Sequence, residues 1–257
     1  MPTPPPTGPL VTRGTLVEDL RRLGVRTGET LLAHTSLRSL GWVNGGAVTV
    51  VESLLETLGP DGTLVVPTQT GDLSDPALWR DPPVPERWWA EIRATMPAYD
   101  PRITPTRGVG VIPETVRTWP GALRSAHPQT SFAAVGPRAA VIGERSPLAR
   151  LEDLDARVLM LGTGYATCTG FHLAEYRVPA PRVPVGRPAP GGGWEVVTEV
   201  SVTSDRFGEL GHDFERDRPV VLGGPVGAAR ARLFPLREAV AYAERWLPVH
   251  RPREEEF

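Results

Sequence analysis

Apolar residues follow two rhythms along this chain. Leu16, Val17, Leu20 and Leu23 recur at helical spacing, which predicts a helix over 15–23, capped by Thr15 and ended by Gly24. Residues 30–33 and 63–66 are short apolar runs, predicted as buried strands. Between them 47–58 has the pattern of an amphipathic helix, followed by the turn Gly59-Pro60-Asp61-Gly62. Strand, helix and strand make a unit whose crossover is right-handed and whose strands are parallel. Residues 158–161 form a third buried strand. It turns through Gly162, Thr163 and Gly164 into a helix that Thr167 or Thr169 can cap. Residues 133–135 read as a weaker strand. Trp194 to Val202 alternates in the manner of an exposed antiparallel strand. Residues 226–234 fit strand or helix, and 235–246 a closing helix with Val240 and Ala243 on one face.

Between these elements the chain is punctuated by proline. Residues 73–107 hold seven of them, with Trp79, Trp88, Trp89 and Tyr99 interspersed, and predict a long excursion with one short helix near 86–95. Its tryptophans fit either a functional loop or a satellite core. Residues 124–132 form a dense polar loop, and 179–193 a loop rich in Gly and Pro. The organisation expected is one α/β domain over 1–257. Its central mixed, largely parallel sheet is flanked by helices, with the excursion at 73–107 and a smaller subdomain at about 180–225.

Composition narrows the function classes. The formal net charge of -2 lacks the basic excess of a nucleic-acid binder. The basic residues other than His are all Arg, so neither a Schiff-base lysine nor a phosphate-loop lysine is available. The single cysteine, Cys168, excludes an intrachain disulfide and a cysteine metal cluster, and fits a cytoplasmic setting. No stretch has the length of a membrane span, and the first ten residues lack the pattern of a secretion signal. No phosphate-loop, dinucleotide-binding, zinc-protease or nucleophile-elbow motif is present, so no metal is expected.

Candidate chemistry gathers after the strand at 158–161. His172 and Glu175 are three apart, so on a helix they share a face. A carboxylate beside an imidazole fixes its tautomer and raises its basicity, the arrangement of a general base and its orienter. A helical surface pair has the same spacing. Thr35, Ser36, Gly45 and Gly46 form a rim rich in hydroxyls and amides at the carboxyl end of the first strand, where open α/β sheets hold ligands. Asp72, Tyr99 and Asp100 either face a cationic ligand or are solvated turn residues.

Several segments together resemble the antibiotic N-acetyltransferase family, the aminoglycoside 3-N-acetyltransferases. They are His34-Thr35-Ser36-Leu37 with Gly41-Trp42 and Gly45-Gly46, Gly62-Thr63-Leu64 with Pro67-Thr68, Arg124-Ser125 with His127-Pro128 and Ser131-Phe132, Ser146-Pro147, and Leu161-Gly162 through His172-Leu173-Ala174-Glu175. Gly224-Pro225-Val226-Gly227 closes the set, which covers nearly the whole chain. The stretch between Gly136 and Glu144 is shorter than in many relatives.

The resemblance implies acetyl transfer from acetyl-CoA to an amine, typically the 3-amino group of a 2-deoxystreptamine aminoglycoside. His172 would be the general base and Glu175 its orienter. Backbone N–H groups at 35–37, or the hydroxyl of Thr167 or Thr169, would donate to the oxyanion. Acetyl-CoA would lie along His34, Thr35, Ser36, Leu37 and Gly45, with Arg124, Ser125 and Ser131 nearby. Asp72, Tyr99 and Asp100 would wall the acceptor on one side, and Asp213 and Glu215 on the other. A cysteine acyl-enzyme on Cys168 is a competing mechanism to which the family gives no role. The implied partners are acetyl-CoA and a polycationic aminoglycoside or other amine, with no nucleic acid or membrane, on a monomer or homodimer. The alternatives are the same fold acting on a non-antibiotic amine or amino sugar, for which a neutral cleft would speak, a CoA-binding protein with little turnover, and a nucleotide-dependent enzyme.

Overall fold

The structure is a computed structural model and describes residues 8–143 and 146–251. The helix α1 (Arg13–Leu23) starts earlier than its apolar pattern suggests, because Thr12 is the cap and Thr15 is its reciprocal partner in a capping box. It is followed by β1 (Thr30–Thr35), α2 (Gly46–Leu58) and β2 (Thr63–Pro67), all close to their predicted places. The excursion holds α3 (Trp89–Thr95) behind a 3-10 turn at Glu86–Trp88, and α4 (Val111–Arg117) follows it. Next come β3 (Leu123–Arg124), β4 (Phe132–Val135), α5 (Pro147–Asp153) and β5 (Arg157–Leu161). Two 3-10 turns, Tyr165–Thr167 and Thr169–Phe171, lead into α6 (His172–Glu175). The chain ends with β6 (Arg182–Pro188), β7 (Trp194–Val200), α7 (Phe207–Asp217), β8 (Leu222–Val226), β9 (Ala229–Pro235) and α8 (Leu236–His250).

The main sheet has seven strands in the order β3-β4-β2-β1-β5-β9-β8. Its centre, β2-β1-β5, is parallel, and antiparallel pairs extend both edges. Five strands (β1, β2, β3, β5 and β8) therefore point one way and two (β4 and β9) the other, a mixed and mostly parallel sheet. Alternation along the central strands divides the core. Leu31, Ala33, Leu64, Val66, Leu159 and Leu161 face α1, α2 and α4, whereas Leu32, Val65, Val158 and Met160 face α5 to α8. The result is three layers, helix on sheet on helix.

Two segments depart from their sequence-based expectation. The Gly- and Pro-rich stretch after Tyr176 contains β6, which pairs with β7 in a two-stranded sheet of its own. Pro184 and Pro188 hid it, since proline demotes a strand prediction and is tolerated in an edge pairing. The part that stands apart is this hairpin alone, a correction to the subdomain expected at 180–225. Residues 207–217 are α7, with Phe207, Leu210 and Phe214 buried against α8 and β9, and β8 completes the main sheet. In the excursion, Trp79 and Trp89 are half-buried and Trp88 is exposed, so no satellite core forms there. The excursion is instead tied down by polar contacts. Tyr99 Oη donates to the Ser125 carbonyl at 2.8 Å, and the half-buried Arg124 guanidinium donates to the carbonyls of Thr104 and Thr68.

Candidate active site

Parallel pairing of β1 with β5 sets Thr35 level with Leu161, so both strands end at one edge. Gly162 makes the turn there at φ 72°, and a Cβ on it would lie 2.7 Å from that of Ser39. The 3-10 turns that follow drop His172 beside the end of β1. Neither Thr167 nor Thr169 caps α6. Thr167 Oγ1 donates to the Gly164 carbonyl, and Thr169 Oγ1 lies 3.4 Å from His34 Nε2. The helix has only four residues, and this is enough to hold the i, i+3 pair.

That pair is joined. His172 Nδ1 is 2.5 Å from Glu175 Oε2. Glu175 is 2% exposed, and its other oxygen accepts from the Thr203 N–H at 3.1 Å and from Arg251 Nη2 at 2.6 Å. An ionised carboxylate can only accept, so Nδ1 carries the imidazole proton and Nε2 keeps its lone pair. Phe207 packs against the imidazole, with ring centroids 4.9 Å apart. The His172 side chain is 20% exposed and lines a cleft of about 1110 Å³. A buried, doubly anchored carboxylate aiming an imidazole into a cleft is unlike a helical surface pair.

Two neighbours are electrostatically fixed. Burial, with the charge of His172 in addition, pushes the pKa of His34 down to about 3, so its imidazole is neutral. Burial pushes the Cys168 thiol up to about 12 at 1% exposure. A thiol so protonated and enclosed has no nucleophilic form near neutrality, which argues against the acyl-enzyme route.

The cleft collects some expected residues and not others. Thr169, Tyr99 and Ser125 line it with His172. His34 and Thr35 are buried at the end of β1, Ser36 Oγ is 2.9 Å from Ser39 Oγ, and Leu37 opens a 3-10 turn; with Gly45 before α2, none of these lines the cleft. The Ser36 N–H donates to the Leu161 carbonyl, which removes it as an oxyanion donor. Arg124 and Ser131 do not line the cleft: Arg124 donates to the Thr68 and Thr104 carbonyls and to the Thr68 and Ser131 hydroxyls, and Ser131 donates to the Thr68 carbonyl. The four expected acceptor carboxylates lie outside. Asp72 pairs with Arg107, Asp100 with Arg102, Asp213 with Arg216 and Trp246 Nε1, and Glu215 with Arg232. Each had a nearer cation in its own loop, helix or neighbouring strand.

The carboxylates that line the cleft are Glu195 and Glu199 on β7, facing Arg187 on β6 at 2.7 and 2.8 Å. His127 Nε2 lies 3.7 Å from the same Glu199 oxygen, and Arg182 completes the hairpin's charged lining. Sequence reasoning missed these residues with the strand β6. The i, i+4 spacing of Glu195 and Glu199 on an alternating strand was the available signal. Thr203 and Arg251 carried none. Among the described residues no group of three or more His, Cys, Asp or Glu side chains is placed to hold a metal ion, and no helix is long and apolar enough to cross a membrane.

Comparison with known proteins identifies the architecture. The sequence profile of the aminoglycoside 3-N-acetyltransferase family matches residues 32–248. The chain is 43% identical over 251 residues to the SPbeta prophage-derived aminoglycoside N(3')-acetyltransferase-like protein YokD of Bacillus subtilis (strain 168), covering 91% of this chain and 92% of that one. It is 33% identical over 274 residues to aminoglycoside N(3)-acetyltransferase VII of Streptomyces paromomycinus, covering 95% and 94%. The crystal structure of YokD superposes with a TM-score of 0.92 at 40% identity over 97% of each chain. An AAC-IIIb binary complex with CoASH gives 0.79 at 28% identity over 97% and 100%, and AAC-VIa bound to sisomicin 0.79 at 31% over 94% and 98%. The chain belongs to the aminoglycoside 3-N-acetyltransferase family, a family of acyltransferases.

Proposed function

We propose that this protein moves an acetyl group from acetyl-CoA to an amine in one direct step within a ternary complex. The observation that carries the proposal is His172 held by Glu175 at 2.5 Å with Nε2 free at the cleft. An ammonium has no lone pair, so the acceptor first gives one proton to solvent and attacks as the free amine. His172 Nε2 takes the amine proton as the new C–N bond forms, and Glu175 stabilises the imidazolium that results. Thr169 would donate its hydroxyl to the carbonyl oxygen as charge builds there, a role supported by its position beside His34 and in the cleft lining. The imidazolium then returns its proton to the departing thiolate. The cleft exceeds the usual size for one drug-sized ligand, which fits two substrates, and Arg182 supplies a cation at its wall for phosphates.

Family membership points to the 3-amino group of a 2-deoxystreptamine aminoglycoside as acceptor. A second reading has a specific observation behind it. Glu195 and Glu199 are both paired with Arg187, and with Arg182 the hairpin presents two cations and two anions. A wall so balanced suits an amine of lower charge than a polycation. Thiol release from acetyl-CoA, measured with aminoglycosides and with singly charged amino sugars, separates the two. Release with aminoglycosides and one added acetyl mass on each supports the first; release with the amino sugars alone supports the second.

A further inference from the structure

Glu175 is a buried carboxylate, and burial is tolerated where donors replace the water it has lost. Three donors do so: His172 Nδ1, the Thr203 N–H and the Arg251 guanidinium. They are divided. Thr203 and Arg251 share Oε1, and His172 has Oε2 to itself. Arg251 stands one residue beyond α8 and is itself held in place. Its Nη1 donates to the Thr203 carbonyl at 3.1 Å, and its guanidinium lies 5.7 Å from the Phe207 ring centroid. Phe207 also packs on His172. The end of α8 is secured to the start of α7 as well, through Arg206, which donates to the His250 carbonyl and lies 5.3 Å from the Trp246 ring centroid.

We propose that Arg251 is a positioning residue for the transfer: it holds Glu175 turned so that one oxygen serves His172 alone. The proposal rests on His172 acting as the base. The other titratable groups around the pair cannot take over. His34, from β1, is buried and neutral. Tyr176, next to Glu175 on the chain, is a phenol whose pKa burial and the charges of Glu199 and Glu175 raise further. Thr203 and Phe207 do not titrate. Among the described residues, the arginine bonded to Glu175 is Arg251.

The sign of its effect follows. Removing the cation leaves Glu175 a stronger acceptor and removes a repulsive charge near His172. Both changes favour the imidazolium, so the base is released only at higher pH. The test uses Arg251→Met and Arg251→Lys in the full chain, each first shown to unfold with a native-like transition. The His172 ring is titrated by NMR on histidine-labelled protein, with His172→Ala giving the assignment, and thiol release from acetyl-CoA with an accepted amine is followed across pH. Arg251→Met should move the His172 midpoint upward and lower turnover about tenfold or more near neutrality, with KM for acetyl-CoA little changed. Arg251→Lys, which restores the charge, should recover most of both. An unchanged midpoint in Arg251→Met, or equal losses in Met and Lys variants with no shift, would overturn the role. Near-normal turnover in His172→Ala would instead remove the base on which the role depends.

Discussion

His172 depends on a carboxylate whose two oxygens are not equivalent. This alters what Glu175→Gln is expected to do. From spacing alone the variant should lose less than His172→Ala, because the imidazole remains. In the structure, Thr203 and Arg251 both donate to Oε1, so the amide oxygen of a glutamine would settle there. Its NH2 would then face Nδ1 and force the ring proton onto Nε2. Turnover in Glu175→Gln should therefore fall about as far as in His172→Ala, on the order of a thousandfold or more, in an acetyl-release assay. Loss of only a few-fold would mean that the tautomer is set some other way. Cys168 makes the opposite prediction. Cys168→Ala should keep turnover within about twofold and cost roughly 1 kcal/mol of stability or somewhat more, read from denaturant unfolding, because its role is packing. His34 gives a pH dependence of stability. Its pKa is about 3 in the folded chain against 6.5 ordinarily, so the unfolded state takes up the proton first. Stability is then full above 6.5 and falls as pH drops toward 3, by up to about 1.4 kcal/mol per pH unit. Melting curves of His34→Gln should show a shallower decline over that window than the parent.

At the scale of elements, legibility followed the strength of the periodic pattern. α1, α2, β1, β2 and β5 were visible because their apolar residues repeat at 3.6 or sit in unbroken buried runs. The dyad was visible because residues three apart on a helix share a face. β6 was hidden by its prolines, and Glu195, Glu199 and Arg187 with it. α7 was hidden by its charge, since Phe207, Leu210 and Phe214 are separated by Glu209, His212 and Asp213. The expected acidic walls failed because sequence does not show which carboxylate already has an arginine. α7 also supplies an element-scale test. A Cβ at Gly211 would lie 2.0 Å from Tyr165 Cγ, whereas nothing lies within 4 Å of one at Gly208. Gly208→Ala should stabilise the protein by up to about 1 kcal/mol through helix propensity, and Gly211→Ala should destabilise it by about 1–3 kcal/mol or more through overpacking. Urea unfolding of the two variants, differing only in position on one helix, should give opposite signs.

Across the whole molecule, a parallel strand pair brings the end of β1 and the turn after β5 to one edge, and the chain's last helix returns to that edge to support the dyad. The detached β6–β7 hairpin forms a wall of the same cleft, and the excursion reaches it through Tyr99. In the proposed mechanism the acid-base pair sits on α6 at the edge of the main sheet, and the charged wall on a hairpin outside that sheet. The fold follows from the sheet, the proposed reaction rests on the dyad, and the proposed acceptor choice rests on the hairpin. The most direct test of His172 as the base is thiol release from acetyl-CoA with an accepted amine, run with the parent and with His172→Ala, alongside calorimetry of acetyl-CoA binding to both. Acetyl-CoA binding retained with turnover lost is the expected result. Turnover near the parent's in His172→Ala would contradict the mechanism.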